Sequence, residues 1–367
     1  MRRAVALLAV FSFLLLPAPP VAAEAPQLSA RTVRGGLEHP WDIAFAPDGK
    51  MLVTERPGRI RVYAGRRRGA NLLSTKQVAD VRAEGESGVM GIAVTRRNAT
   101  TFVFVCASRD VAAGWRNQVL RYTLGSGGRL RFDRVILGGM RAASIHNGCA
   151  VEVGPDGKVW VSMGDAADLS LPQQRSSRNG KILRVTINGS IPGDNPFSGS
   201  PVYALGLRNP QGIAFQPGTG RPYSIEHGPD VHDEINRLRP GGNYGWPCWT
   251  GTSTPYQTSG CRSASNYRAP AWSSGTGGTI ATSGGAFVTG AAWGPWRGDL
   301  FVATLKEQDV RRFDLGDRGS RAYQRSVLSD NRWGRLRAAV RPPGTSLLYL
   351  TSSNGGGTDR IIRVRAD

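Results

Sequence analysis

Lysine is scarce in this 367-residue chain. Only Lys50, Lys76, Lys158, Lys181 and Lys306 occur, so arginine makes up nearly all of the 47 basic residues, set against 27 acids for a net charge of +20. Histidine and cysteine are rarer still, at four each. After the first twenty-odd positions no apolar run is long enough to cross a bilayer. Amphipathic stretches of period 3.6 are missing, which excludes a helical solenoid. Neither a Gly-x-Ser-x-Gly elbow nor a His-Glu-x-x-His motif occurs, so hydrolysis by those routes has no support. The arginines are scattered, with Arg66-Arg67-Arg68 the only run of three, and there is no recognition helix or zinc spacing. No nucleic-acid partner is expected. With 40% apolar and 20% charged residues the chain is not a disordered one. Its 48 glycines and 23 prolines point instead to a turn-rich, all-β protein.

The N-terminus has the layout of a secretory signal. Arg2 and Arg3 precede an apolar stretch from Ala4 to Leu16, and Val21-Ala22-Ala23 supplies small residues for cleavage. The stretch falls short of the roughly 20 residues that a spanning helix needs. Residues 1–23 are therefore expected to be a signal peptide and 24–367 a single exported domain with no transmembrane segment, secreted or held in the cell envelope. In that setting four cysteines predict disulfides rather than a metal site. Cys248 and Cys261 close a short polar loop and are expected to pair, which leaves Cys106 for Cys149 by elimination.

A phrase recurs along the chain. From Ile43 it reads as a strand, a tight Asp48-Gly49 turn, a second strand, another turn and a third strand. Copies follow at Val151 to Asp165, Ile213 to His227 and Ala339 to Ser352, with weaker ones starting at Gly91 and Gly285. Six copies at roughly 50 to 70 residue spacing predict a six-bladed β-propeller of four-stranded antiparallel blades. A pair of sandwiches is the other architecture this pattern permits. In a propeller, loops from every blade converge at one mouth of the central channel, so residues far apart in sequence can face one ligand.

Candidates for chemistry are few. His146, in Ser144-Ile145-His146-Asn147-Gly148-Cys149, precedes a blade strand and as a neutral imidazole can serve as general base, although a lone loop histidine is more often a surface residue. The segment Glu226 to Asn236 combines carboxylates with the Gly228-Pro229 carbonyls, which suits a hard cation, or simply a turn capped by Asp and Asn. Lys306, Arg335 and Arg337 lie near the ends of late-blade strands, and alternation sets the two arginines on one side of an extended segment. They would repel one another around a narrow mouth unless an anion sits between them or acids such as Asp309 or Asp330 pair with them.

Taken in order, Pro40-Trp41-Asp42-Ile43, Gly85-Glu86-Ser87-Gly88, His146-Asn147-Gly148, Gly164-Asp165, Gly180-Lys181-Ile182, Arg208-Asn209-Pro210-Gln211-Gly212, Glu226 to Asn236 and Asn243-Tyr244-Gly245-Trp246-Pro247 resemble the soluble pyrroloquinoline-quinone (PQQ)-dependent glucose and aldose dehydrogenases, including the glucose/sorbosone dehydrogenase-like propellers. The resemblance spans essentially the whole chain after the signal. It implies a propeller that binds PQQ and a calcium ion at one mouth. It also implies oxidation of the anomeric carbon of an aldose sugar to a lactone, with electrons passing to an external acceptor. Carried over by position, His146 is the base and Asp165 orients it. Arg208 and Asn209 contact the quinone oxygens, with Glu86 beside them. Lys306, Arg335 and Arg337 hold the cofactor carboxylates, and the carbonyls of Gly228 and Pro229 bind calcium with Asp233 as support.

Some positions depart from the family pattern. Cys149 and Ala150 stand where an arginine is usual, Ile145 where some members have aspartate, Ala338 where aspartate commonly follows the Arg-x-Arg pair, and Thr351-Ser352 in place of a frequent Thr-Asp. The main set is intact while its supporting shell is thinner. A family propeller that has lost turnover and binds carbohydrate or protein is the alternative.

Overall fold

The computed structural model describes residues 24–315, 322–328 and 331–367, apart from 258, 260, 262, 264 and 265. The expected signal peptide and Asp330 lie outside the described residues. Six four-stranded antiparallel sheets form the blades of a β-propeller.

Each recurring phrase is the inner hairpin of a blade. Blade I consists of Pro40–Phe45, Met51–Glu55, Arg59–Tyr63 and Leu72–Gln77, ordered from the channel outward. Blade II is Val89–Arg97, Thr100–Val111, Gly114–Leu124 and Leu130–Arg141, and blade III is Gly148–Val153, Val159–Met163, Lys181–Val185 and Val202–Leu205. Blade IV comprises Pro210–Phe215, Pro222–Glu226, Glu234–Arg237 and Trp272–Ser273, and blade V comprises Thr282–Phe287, Leu300–Thr304, Val310–Leu315 and Ala322–Leu328. Blade VI takes Leu336–Val340, Leu347–Ser352 and Asp359–Ala366 from the C-terminal end. Its outermost strand is Leu28–Leu37, which pairs antiparallel with Asp359–Ala366 and so closes the ring.

The strand sequences follow from this layering. Second strands are packed against a neighbouring blade on each face and read as short apolar runs, as in Met-Leu-Val-Thr-Glu and Val-Trp-Val-Ser-Met, buried throughout. The outermost strand of blade I faces water, with Leu-Leu-Ser-Thr-Lys-Gln half-buried or exposed at every position, whereas that of blade III, Val202–Leu205, is buried throughout. Apolar clusters fill the seams between blades; one joins Met90, Phe104 and Val119 of blade II to Val151, Val161 and Leu183 of blade III. The inner hairpins of blades I and III turn at Asp-Gly, where Gly49 and Gly157 take φ of +89° and +70°. Around the channel the inner strands approach so closely that a Cβ on Gly91 would lie 2.6 Å from the Val151 nitrogen.

Both expected disulfides form, Cys106–Cys149 between blades II and III and Cys248–Cys261 within the long loop that joins the third and fourth strands of blade IV. The first accounts for one departure from the family pattern, because Cys149 is committed to a crosslink three residues after His146. Among the described residues, no helix is long and apolar enough to cross a membrane.

Candidate active site

Two kinds of loop meet at one end of the propeller: those entering the inner strands and those joining second to third strands. The first kind brings Glu86, His146, Arg208-Asn209 and Arg335, and the second brings Asp165, Gly228-Pro229 and Lys306.

His146 is the centre of the cluster. Its Nδ1 lies 2.8 Å from Asp165 Oδ1, and its side chain is 14% exposed, against none for Asp165. Asp165 also accepts from the Ala167 N–H at 2.8 Å and, through Oδ2, from the Trp246 indole at 2.8 Å. A carboxylate only accepts, so Nδ1 carries the ring proton and Nε2 keeps its lone pair. The His146 backbone sits at φ +58°, a left-handed conformation unusual for a side-chain-bearing residue. Glu86 braces it by accepting the His146 N–H at 2.9 Å, and the same oxygen accepts from Asn209 Nδ2 at 3.2 Å.

From Asn209 the network runs to the cations. Gln211 Nε2 donates to Asn209 Oδ1 at 3.0 Å, and Arg337 donates to Gln211 Oε1 at 3.1 Å. Arg337 is buried with its guanidinium 3.6 Å from the Trp41 ring centroid, and burial pushes its pKa down to about 9. Arg335 does not share its setting. It precedes the strand, is exposed, and has its backbone N–H held by Asn354 at 3.0 Å, so the two arginines are a buried post and a rim residue. Lys306 is exposed on the rim, its Nζ near Gly278. Asp309 does not pair with it, being 2.7 Å from Arg311 instead. Among the described residues, Lys306, Arg335 and Arg337 have no carboxylate within ion-pair distance. Sequence reasoning missed Arg56, whose charge also bears on Arg337.

Arg208 reaches the expected cation-binding turn. Its guanidinium donates to the carbonyl oxygens of Gly228 at 2.8 Å and His227 at 3.3 Å. The turn needs glycine there, since a Cβ on Gly228 would collide with the Val231 carbonyl. Asp233 ties it from inside, accepting from the N–H groups of Gly228 at 2.9 Å, Ile280 at 2.6 Å and Ala281 at 2.7 Å. Beneath lies a carboxyl pair, Glu226 and Glu234, from the segment whose carboxylates the sequence offered to a hard cation. Glu226 accepts the backbone N–H groups of Arg208 and, at 3.2 Å, Asn209, while Asn236 donates to both Glu226 and Glu234. Burial beside Glu234 raises the Glu226 pKa well above the carboxylate range, and burial pushes Glu234 to about 7. Among the described residues no group of three or more His, Cys, Asp or Glu side chains could hold a metal.

Below this platform Trp41, Asp42, Glu152, Gln211 and Arg337 line the central channel. Burial pushes the Asp42 pKa up to about 7 although it accepts the N–H groups of Ile43 and Ile92 at 2.8 and 3.1 Å. Between the unfolded value near 3.8 and about 7 the folded state keeps a proton that the unfolded chain has lost, so this group's contribution to stability falls as pH rises through that window. Asp42→Asn removes the effect and keeps an acceptor. The melting temperature of the variant relative to wild type is expected to rise from pH 4 to pH 7; a difference independent of pH would show that Asp42 ionises normally.

Fold and cluster together define a propeller with a carboxylate-bound imidazole, His146–Asp165, at one channel mouth, joined by hydrogen bonds through Glu86, Asn209 and Gln211 to the buried Arg337. The glucose/sorbosone dehydrogenase family model matches residues 37–363, and the chain belongs to that family. A solved relative is the PQQ-bound aldose sugar dehydrogenase of Streptomyces coelicolor, 30% identical, with a TM-score of 0.76 over 94% of this chain and 100% of that one. The aldose sugar dehydrogenase YliI of Escherichia coli is 28% identical over 90% of this chain and 91% of its own length. Quinoprotein glucose dehydrogenase B of Acinetobacter calcoaceticus is 30% identical over 64% of this chain and 55% of its own.

Proposed function

We propose that the protein is an exported quinoprotein dehydrogenase that oxidises the C1 hydroxyl of aldoses to lactones, using PQQ with calcium and passing electrons to an external acceptor. The observation that carries this reading is the His146–Asp165 pair, 2.8 Å apart and linked through Glu86, Asn209 and Gln211 to the buried Arg337, which has no carboxylate within ion-pair distance among the described residues. When bound, the quinone supplies the two-electron acceptor for the C1 hydride. The protein's own part is the proton. His146 Nε2 takes it from the sugar hydroxyl, the C1–H electron pair leaves as hydride, and the carbon–oxygen bond becomes a carbonyl. Asp165 fixes the required tautomer and stabilises the imidazolium, and Trp246 fixes Asp165.

The donor set fits the cofactors. Lys306, Arg335 and Arg337 would hold carboxylates, and the Arg208 guanidinium and Asn209 amide would face quinone oxygens. The Gly228 and Pro229 carbonyls would hold calcium through hard but neutral oxygens once the Arg208 guanidinium, which occupies the Gly228 carbonyl at 2.8 Å, turns from it toward the quinone oxygens, and Asp233, spent on backbone N–H groups, supports the turn. Calcium affinity should therefore depend on an anionic cofactor being present.

The test uses residues 24–367 with PQQ and calcium, recording cofactor absorbance and dye reduction across an aldose panel. Saturable binding with aldose-dependent reduction is expected. A folded protein that binds no quinone would overturn the assignment in favour of a binding module.

A further inference from the structure

The end of the propeller away from the active mouth carries a different surface. The third strand of blade I, Arg59–Tyr63, starts at the site end, so the 64–71 loop that follows it lies at the opposite end. That loop holds Arg66, Arg67 and Arg68. It is tied to blade VI through Arg34, which donates to the carbonyls of Arg67 (3.3 Å) and Ala70, and through the contact of Tyr349 Oη with the Arg66 carbonyl at 3.3 Å. Beside it, Arg31 and Arg363 are paired directly across the closing strands, a like-charge juxtaposition that ordinarily destabilises a sheet. None of these six arginines has a carboxylate within ion-pair distance among the described residues. Nearby acids are already engaged, Asp48 by Lys50 and Asp367 by Arg365.

Apolar side chains lie within this charged belt. Leu72 and Leu73, directly after the loop, are 48% and 39% exposed, and Leu73 lies against Gly128 of blade II. There the belt continues with Arg129 and Arg131, which share one open cleft with Lys76 on the outer wall of blade I. A soluble polyanion would use the arginines alone. A lipid surface uses both, with guanidinium groups on headgroup phosphates and leucines entering the boundary with the acyl chains.

We propose that this rim of blades VI, I and II docks the protein on an anionic phospholipid bilayer, leaving the opposite mouth open to sugar. The proposal does not depend on the cofactor reading. Its test is flotation of residues 24–367 with vesicles of phosphatidylcholine alone or with phosphatidylglycerol at about a third of the lipid. Binding is expected only with phosphatidylglycerol, and salt should weaken it. The triple variant Arg66→Gln, Arg67→Gln, Arg68→Gln should lose affinity by on the order of a hundredfold, at roughly fivefold per charge. Leu72→Ser with Leu73→Ser should retain electrostatic recruitment yet release at lower salt than wild type. Both variants should keep wild-type melting temperature and sugar oxidation. Absence of flotation at low salt, unchanged binding by the triple variant, or retention on a soluble polyanion such as heparin without vesicle binding would each overturn the assignment.

Discussion

Replacing His146 with alanine is expected to lower aldose-dependent dye reduction by about two to four orders of magnitude while quinone affinity changes by no more than a few-fold. The asymmetry follows from geometry. Only Nδ1 of the His146 ring is hydrogen-bonded among the described residues, so loss of the ring removes a proton acceptor at Nε2 and leaves the cationic platform in place. Asp165 gives a useful comparison, because it accepts from both His146 and Trp246. In Asp165→Asn one amide position must donate, so either the imidazole or the indole loses its acceptor. A fall in kcat with little change in KM is expected, smaller than for His146→Ala. Full activity of His146→Ala would assign the base elsewhere, and His227, whose buried Nε2 has no hydrogen-bond partner, would be the next residue to test.

How much of this was legible beforehand depended on the range of each interaction. The inner hairpins were readable because a turn, Asp-Gly in blades I and III, and its flanking strands lie within about fifteen residues, and the strand-turn-strand phrase occurs six times. Ring closure by Leu28–Leu37 was not, since its partner Asp359–Ala366 is at the other end of the chain and nothing local distinguishes this strand from any other. The site divides the same way. His146 and Asp165 stood out as chemically apt residues in family motifs, but the Trp246 hydrogen bond to Asp165 spans 81 positions and has no signature of its own. Glu226 looked like a cation ligand candidate. In the structure it holds the Arg208-Asn209 backbone, a role set by the pairing of the first two strands of blade IV, where Pro210 lies opposite Glu226. Arg335 and Arg337 were read as equivalent because alternation was assumed to begin before Arg335, whereas the strand starts at Leu336.

Lys181→Met is expected to be the most destabilising single change among the side chains considered, by about 3 kcal/mol or more, with the melting temperature lower by several degrees. Lys181 is fully buried and opens the third strand of blade III. Its ammonium donates to the carbonyls of Leu171 and Pro172 at 2.8 Å each and Asn179 at 2.7 Å, and so gathers the loop that carries Asp165. Methionine keeps the volume and leaves three buried acceptors without that donor. Burial pushes the Lys181 pKa down to about 7, against 10.5 when unfolded. The unfolded chain therefore binds more protons between those values, and the contribution of this lysine to stability grows as pH rises through the window. The gap between wild type and Lys181→Met should accordingly widen from pH 7 toward pH 10, while activity falls because Asp165 loses its fixed position. A variant equal to wild type in melting temperature at every pH would show that the 164–180 loop is held by its own turns, and the lysine would then be a tolerated burial rather than the tie that positions the base.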